Sequence, residues 1–233
     1  MGTGFSRRTF LAAAGVLALP RAARAAAVPR SFDHVQLGCN DLDQGIAFVE
    51  QKTGVKAAFG GVHPGRGSRN ALLKLGDRRY LEILAPDPAQ DRSADVRGLY
   101  KIESPRLLEW AAHVDDVDPL VRALAAAHME TKPLFPGSRK RPDGKLLRWR
   151  ALTLKDNRSG VLPFFIEWSA DSAHPASDAP GGCELLSFTA VDPAPEQVRA
   201  TFRTLRLDDV QVEPSVRRGL RAVIKGPRGT LEI

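Results

Sequence analysis

Cysteine, aromatic residues and long apolar runs are all in short supply in this chain. Two cysteines among 233 residues, Cys39 and Cys183, exclude a disulfide framework, and neither belongs to a C-x-x-C pair. They read as two small buried apolar side chains rather than a bridge. No apolar stretch reaches the ~18–20 residues of a membrane-spanning helix, which excludes a multi-pass membrane protein. Aromatics amount to 6%, and no basic stripe interleaves with them, so no nucleic-acid partner is expected. The glycine-rich run 60–67 does not stand between a strand and a helix and is not a dinucleotide fingerprint.

Acidic residues are missing from the first 25 positions, which hold Arg7, Arg8, Arg21 and Arg24. Those four arginines supply most of the formal +7 and leave a body of only +3, ordinary for a solvated surface. What is present there reads as an address. Ser6-Arg7-Arg8-Thr9-Phe10-Leu11 opens it, an Ala/Leu/Val-rich stretch to Leu19 follows, and Ala23-Arg24-Ala25 offers the small residues a signal peptidase needs. The paired arginines resemble the twin-arginine export signal, so residues 1–25 are expected to be removed and the protein to reside in the periplasm, with no membrane span remaining.

The body repeats one pattern three times. Three short apolar stretches each carry a glutamate: 80–84 with Glu82, 165–168 with Glu167, and 230–233 with Glu232. Each follows a Gly or Pro turn signal and reads as a strand. Upstream of each lies another strand (34–41, 109–116, 186–193), ending in Asn or Asp where a helix N-cap belongs. A helical stretch follows each: 42–52, 117–127 and 195–205. Room for two more strands remains before each closing glutamate, so the unit is strand, helix, three strands. The expected organisation is a first βαβββ unit over 32–85, a second over 107–169 and a third, structural unit over 183–233.

Two such units resemble the vicinal oxygen chelate superfamily of glyoxalase I, extradiol dioxygenases and bleomycin-resistance proteins. The wording is closest to its glyoxalase-like domains, in Asp33-His34-Val35, His63-Pro64-Gly65, Ser68-Arg69-Asn70, Tyr80 to Leu84, Arg141 to Gly144, Leu147 to Arg150 and Pro163 to Trp168. The resemblance implies an α+β fold, a cupped mixed sheet built from the repeated βαβββ units, with the third unit added at the C-terminus. It also implies a divalent metal (Zn, Mn, Fe or Ni) held by His34, Glu82, Glu109 and Glu167, with a carboxylate, Glu167 or Glu82, moving a proton. Glu109 stands where glyoxalase I has a histidine or glutamine.

Strand alternation gives the same four residues a physical reading. Each sits on the face opposite a mostly apolar set that could pack on a helix, so all four could meet in one cavity, where several carboxylates need a cation or protons. His63, in a loop of four glycines, reads either as an acid or base near a ligand or as an incidental residue of a flexible turn. Arg148 and Arg150 share one strand face and Trp149 the other; if the arginines face the cavity they bind a carboxylate or phosphate, and if they face outward they only solubilise. Asn70 is expected to add a neutral hydrogen bond to the ligand. His113 is assigned to the core, and His128 and His174 to the surface or loops. The expected function is a metal-dependent lyase or isomerase acting on a small oxygenated or anionic molecule. The alternative is a metal-free, bleomycin-resistance-like sequestering protein using the same cup. The third unit, lacking a partner unit, is expected to pair across a homodimer through 183–233 or to fold over its own cup as a lid.

Overall fold

The computed structural model describes Met1 and residues 28–95, 97–141 and 143–233. The export signal expected over residues 1–25 lies outside the described residues except for Met1. Among the described residues, no helix is long and apolar enough to cross a membrane.

The first unit runs β1 (Phe32–Gly38), α1 (Leu42–Thr53), β2 (Ala58–His63), β3 (Ser68–Gly76) and β4 (Arg79–Pro86). The second runs β5 (Arg106–His113), α2 (Val117–Ala126), β6 (Phe135–Lys140), β7 (Leu146–Thr153) and β8 (Phe164–Trp168). The third runs β9 (Glu184–Asp192), α3 (Pro195–Thr204), β10 (Gln211–Pro214), β11 (Gly219–Lys225) and β12 (Thr230–Glu232). The expected α+β chain of repeated βαβββ units is what forms.

Local chemistry starts the helices where the sequence indicates. The Asp41 carboxylate accepts from the Gln44 backbone N–H at 2.9 Å, and Asp116 accepts from that of Asp118 at 3.0 Å. In α3 the residue at the cap position is Ala194, and Pro195 opens the helix. Asp192 still contributes, by accepting from the Ala194 N–H at 2.7 Å.

The first two units share one eight-stranded sheet in the order β2-β3-β4-β1-β5-β8-β7-β6. Within each unit the first strand pairs parallel with the last, β1 with β4 and β5 with β8. The units join through the antiparallel β1–β5 pair. The edge strands β2 and β6 curl until they touch, so the sheet is nearly a barrel. One face is concave and open. The other carries α1 and α2 and most of the core, including Val35, Leu37, Leu81, Ile83 and Trp110, each essentially without exposure.

The third unit packs on that outer face. Its four-stranded sheet, β10-β9-β11-β12, sends Phe188 against Phe32 and Trp110, with ring centroids 5.0 and 5.1 Å apart. Phe202 of α3 meets Trp110 edge-on at 6.3 Å. Arg158, before β8, forks onto the fully buried Asp192 at 3.0 and 2.8 Å. The lid expectation is therefore corrected: the unit covers the back of the sheet, and no residue of 183–233 lines the cavity of the concave side. The homodimer expectation rested on strand edges left open in a unit without a partner unit, and the four-stranded sheet of the third unit ends in β10 and β12. Cys39 and Cys183 are both free and buried.

Candidate functional site

Side chains at alternate positions of the concave face line a cavity of about 520 Å³. Strand β1 contributes His34 and Gln36, β3 contributes Ser68 and Asn70, and β4 contributes Tyr80, Glu82 and Leu84. The second unit contributes Glu109, Arg139, Trp149, Ala151, Phe164, Ile166 and Trp168. One half is thus polar and the other largely aromatic or aliphatic.

Glu82 is the centre of the polar half, with 5% of its surface exposed. Gln36 donates to its Oε2 at 2.7 Å and Asn70 to its Oε1 at 2.6 Å. Two imidazoles flank it: His34 Nε2 lies 3.7 Å from Oε2, and His63 Nε2 lies 3.7 Å from Oε1. Burial alone would raise the Glu82 pKa, but the two imidazoles and the two amide donors hold it below the usual carboxylate range. Burial pushes His63 down to about 4, aided by Arg139, Arg97 and Arg66 and opposed by Glu82, so at neutral pH its ring is uncharged. Its Nδ1 meets Ser68 Oγ at 3.1 Å, and its Nε2 lies 3.5 Å from Asn70 Nδ2 on the cavity wall.

Beneath His34 lies a second buried carboxylate, Asp33, 1% exposed. It accepts from His34 Nδ1 at 2.7 Å, from Trp168 Nε1 at 3.0 Å and from His174 Nε2 at 3.1 Å. Burial opposes its ionisation, yet the histidine hydrogen bonds and charges keep its pKa well below the usual range. The contact holds the His34 proton on Nδ1 and turns Nε2 toward Glu82.

Of the residues expected to form the site, His34, Glu82, His63, Asn70 and Glu109 line the cavity together. Glu109 is committed to an ion pair with Arg97, whose Nη1 also donates to Gln36 Oε1 at 2.8 Å. Glu167, expected both as a metal ligand and as a catalytic carboxylate, is on the other face. Its Oε2 accepts the Val117 N–H at the start of α2 at 2.8 Å, and Arg150 Nη2 binds the same oxygen at 2.6 Å. The positive end of α2 attracts the carboxylate outward, while Ile166 and Trp168 turn inward. Arg150 continues to Asp118 at 3.0 Å, and Arg148 pairs with Asp171 at 2.9 Å. Both arginines therefore sit outside the cup, and Trp149 between them lines it.

Two histidines also depart from expectation. His174 is buried on Asp33, and His113 sits partly exposed at the end of β5, 3.1 Å from Asp115, rather than in the core. Asp33, Arg97 and Arg139 have no role that the sequence alone indicates; their one signal is polarity in or beside strands that otherwise read as apolar.

The residues present do not fit the implied divalent metal. Glu82 already accepts from two amide donors, Glu109 is neutralised by Arg97, and Glu167 is across the sheet. Among the described residues, no three His, Cys, Asp or Glu side chains converge as a metal-holding group. Four cations, Arg66, Arg97, Lys132 and Arg139, line the cavity against two carboxylates. The arrangement can take an oxyanion, enclose an apolar body against Trp149, Phe164 and Trp168, and exchange a proton with an imidazole.

No curated protein matches the chain in sequence. Among solved structures, a hypothetical protein from Staphylococcus aureus is similar in fold, with a TM-score of 0.65 and 15% identity over 86% of this chain and 97% of that one. Methylmalonyl-CoA epimerase from Mycobacterium tuberculosis matches less closely, with a TM-score of 0.44 and 19% identity over 62% of this chain and 90% of that one. A hypothetical protein from Bacillus halodurans C-125 matches at a TM-score of 0.44 and 15% identity, over 61% of this chain and 96% of that one. The profile of the glyoxalase-like domain matches residues 32–206, three-quarters of the chain. On that match, spanning both units of the cup and the start of the third, the chain belongs to the glyoxalase-like domain family.

Proposed function

We propose that this protein is an exported glyoxalase-like isomerase or lyase that binds a small, oxygenated, anionic molecule in the cup and moves a proton without a resident metal. The observation that carries the reading is the ionised Glu82 set between the imidazoles of His34 and His63 in the polar half of a cavity whose other half is largely apolar. Neutral His63 takes a proton from an acidic C–H beside a carbonyl. The bonding pair moves onto the carbonyl oxygen as an enolate, and Glu82 stabilises the imidazolium that forms. The imidazolium then returns the proton to carbon or to oxygen, which completes an isomerisation with no other reactant.

The test is solvent deuterium exchange into a panel of small 2-hydroxy and 2-oxo carboxylates, with the protein stripped by a chelator. At least one member should exchange, and His63→Gln should slow it about 10²–10⁴-fold, the usual contribution of a positioned base. Tight binding with no exchange in any member would overturn the enzyme reading and favour sequestration, to which the aromatic wall is also suited.

Export by the twin-arginine pathway is part of the proposal, supported by the Arg7-Arg8 pair ahead of the apolar stretch. Replacing both arginines with lysine should hold the precursor in the cytoplasm, and undiminished periplasmic yield would contradict it.

A further inference from the structure

The cations of the cup are not equivalent. Arg97 is neutralised by Glu109 and donates to Gln36. Arg66 lies at the rim with its guanidinium 4.7 Å from the centroid of the Phe135 ring, a partner that carries no charge but is adequate for a half-buried arginine. Arg139 differs from both. It is 4% exposed, lines the cavity, and has no ion pair or side-chain hydrogen bond among the described residues. Arg141, two residues on, has partners in Asp143 and Asp178. The carboxylate whose charge acts on Arg139 is Glu82, and both Glu82 oxygens are already taken by Gln36 and Asn70.

A largely buried guanidinium without a counter-ion is costly, so a fold that holds one at a cavity wall is stabilised by an anion supplied from outside the chain. This fold also makes room for it. Arg139 enters from edge strand β6, where β6 meets β2, and β2 has Gly60 and Gly61 at that point. A Cβ on Gly60 would stand 3.1 Å from Arg139 Nη1 and 2.5 Å from Asn70 Oδ1. A Cβ on Gly61 would stand 3.1 Å from Arg139 Cγ and Cδ and 2.7 Å from the Lys140 carbonyl oxygen, and Gly61 has φ near +140°, where side chains are rarely tolerated. The two glycines that read in sequence as a flexible loop are strand residues that leave a slot for the arginine stem.

We infer that Arg139 is the anchor for an oxyanion of the ligand, a carboxylate or phosphate group, with the ligand's apolar body directed to Trp149, Phe164 and Trp168. The planar fork suits bidentate pairing with either group. The inference rests on the reading of the cup as a ligand site, and it fixes the charge class of what enters.

Calorimetric titration of the full chain with phenylacetate, its neutral analogue phenylacetamide, and inorganic phosphate tests it. The parent should bind phenylacetate at least about tenfold more tightly than phenylacetamide, and Arg139→Met should abolish that preference; a charge-assisted hydrogen bond is worth about that ratio or more. Phosphate competing with phenylacetate assigns a shared subsite that takes either anion, and phosphate failing to compete assigns a carboxylate site. Thermal unfolding supplies a second readout that a structural arginine would not give: ligand-free Arg139→Met should melt above the parent, because it removes an unpaired buried charge. Arg139→Gln repeats the comparison if methionine disturbs the β2–β6 seam. A lower melting temperature in both variants, failure of both to fold, equal affinity for acid and amide, or no anion binding by the parent would each overturn the inference. Loss of proton exchange with the anion preference intact would remove the catalytic reading alone; exchange unaffected by Arg139→Met would remove the anchor alone.

Discussion

Trp110→Ala should lower the unfolding free energy by about 3–5 kcal/mol, the usual range for a fully buried tryptophan. Trp110 has no exposure, stacks at 6.1 Å on Phe32, and meets Phe188 and Phe202 of the third unit. Its indole N–H donates to the Val161 carbonyl at 2.9 Å, so truncation also strands a buried acceptor. The same geometry fixes the result of ending the chain at Gly181. That truncation exposes Trp110, Phe32 and the outer face of the barrel, so it should aggregate or melt far below the parent rather than yield a stable two-unit protein. Denaturation followed by tryptophan fluorescence checks the first expectation and soluble yield with calorimetry the second. A truncated chain with parental stability would show that the third unit is an accessory rather than part of the core.

Asp33→Ala should cost about 3–5 kcal/mol as well, the penalty for removing one partner of a buried ionic network. It leaves His34 and His174 each with an unmet donor in a buried environment and takes the acceptor from the Trp168 indole N–H. The pH dependence carries a sign. The Asp33 pKa is held below its ordinary 3.8 in the folded state, so its stabilisation is present above about pH 4 and lost as pH falls through the folded value. Parent and variant should therefore differ most at neutral pH and converge in strong acid. Urea titrations from pH 7 down to pH 2 read this as a gap that narrows progressively below about pH 4, and a pH-independent gap would show that the carboxylate's charge is not what matters. Asp33→Asn, similar in shape and still able to accept one bond, should fall between the two.

Much of the architecture was legible because it rests on local signals. Asp41 and Asp116 announce their helices through side-chain caps, and the three glutamate-bearing strands follow turn residues in a repeated order. The polar half of the cup was legible for a similar reason: His34 and Glu82 are polar residues in apolar strands, and both turn inward. The same rule failed at Glu167. It assumes that the apolar face of every strand packs on a helix, whereas in β8 the inward face is the apolar one and the carboxylate caps α2. Arg148 and Arg150 misled for the same reason, with Trp149 taking the cavity position. Arg139 and His174 could not be found by alternation within one strand. Their roles depend on the β2–β6 approach and on the 170–182 linker returning to Asp33, which are contacts between parts distant in sequence.

In the proposed reaction the cup moves a proton with neutral His63 and needs no divalent metal. The most direct measurement is the pH–rate profile of deuterium exchange, recorded on chelator-treated protein with the fastest member of the carboxylate panel. A base must be unprotonated to act, and His63 is held down to about 4, so kcat/KM should stay level from pH 8 to about 5 and fall as pH drops through 4. Restored metal should leave the profile unchanged. A stripped protein that exchanges nothing until a divalent metal is returned, or an acid limb near the ordinary imidazole value of 6.5, would contradict the account.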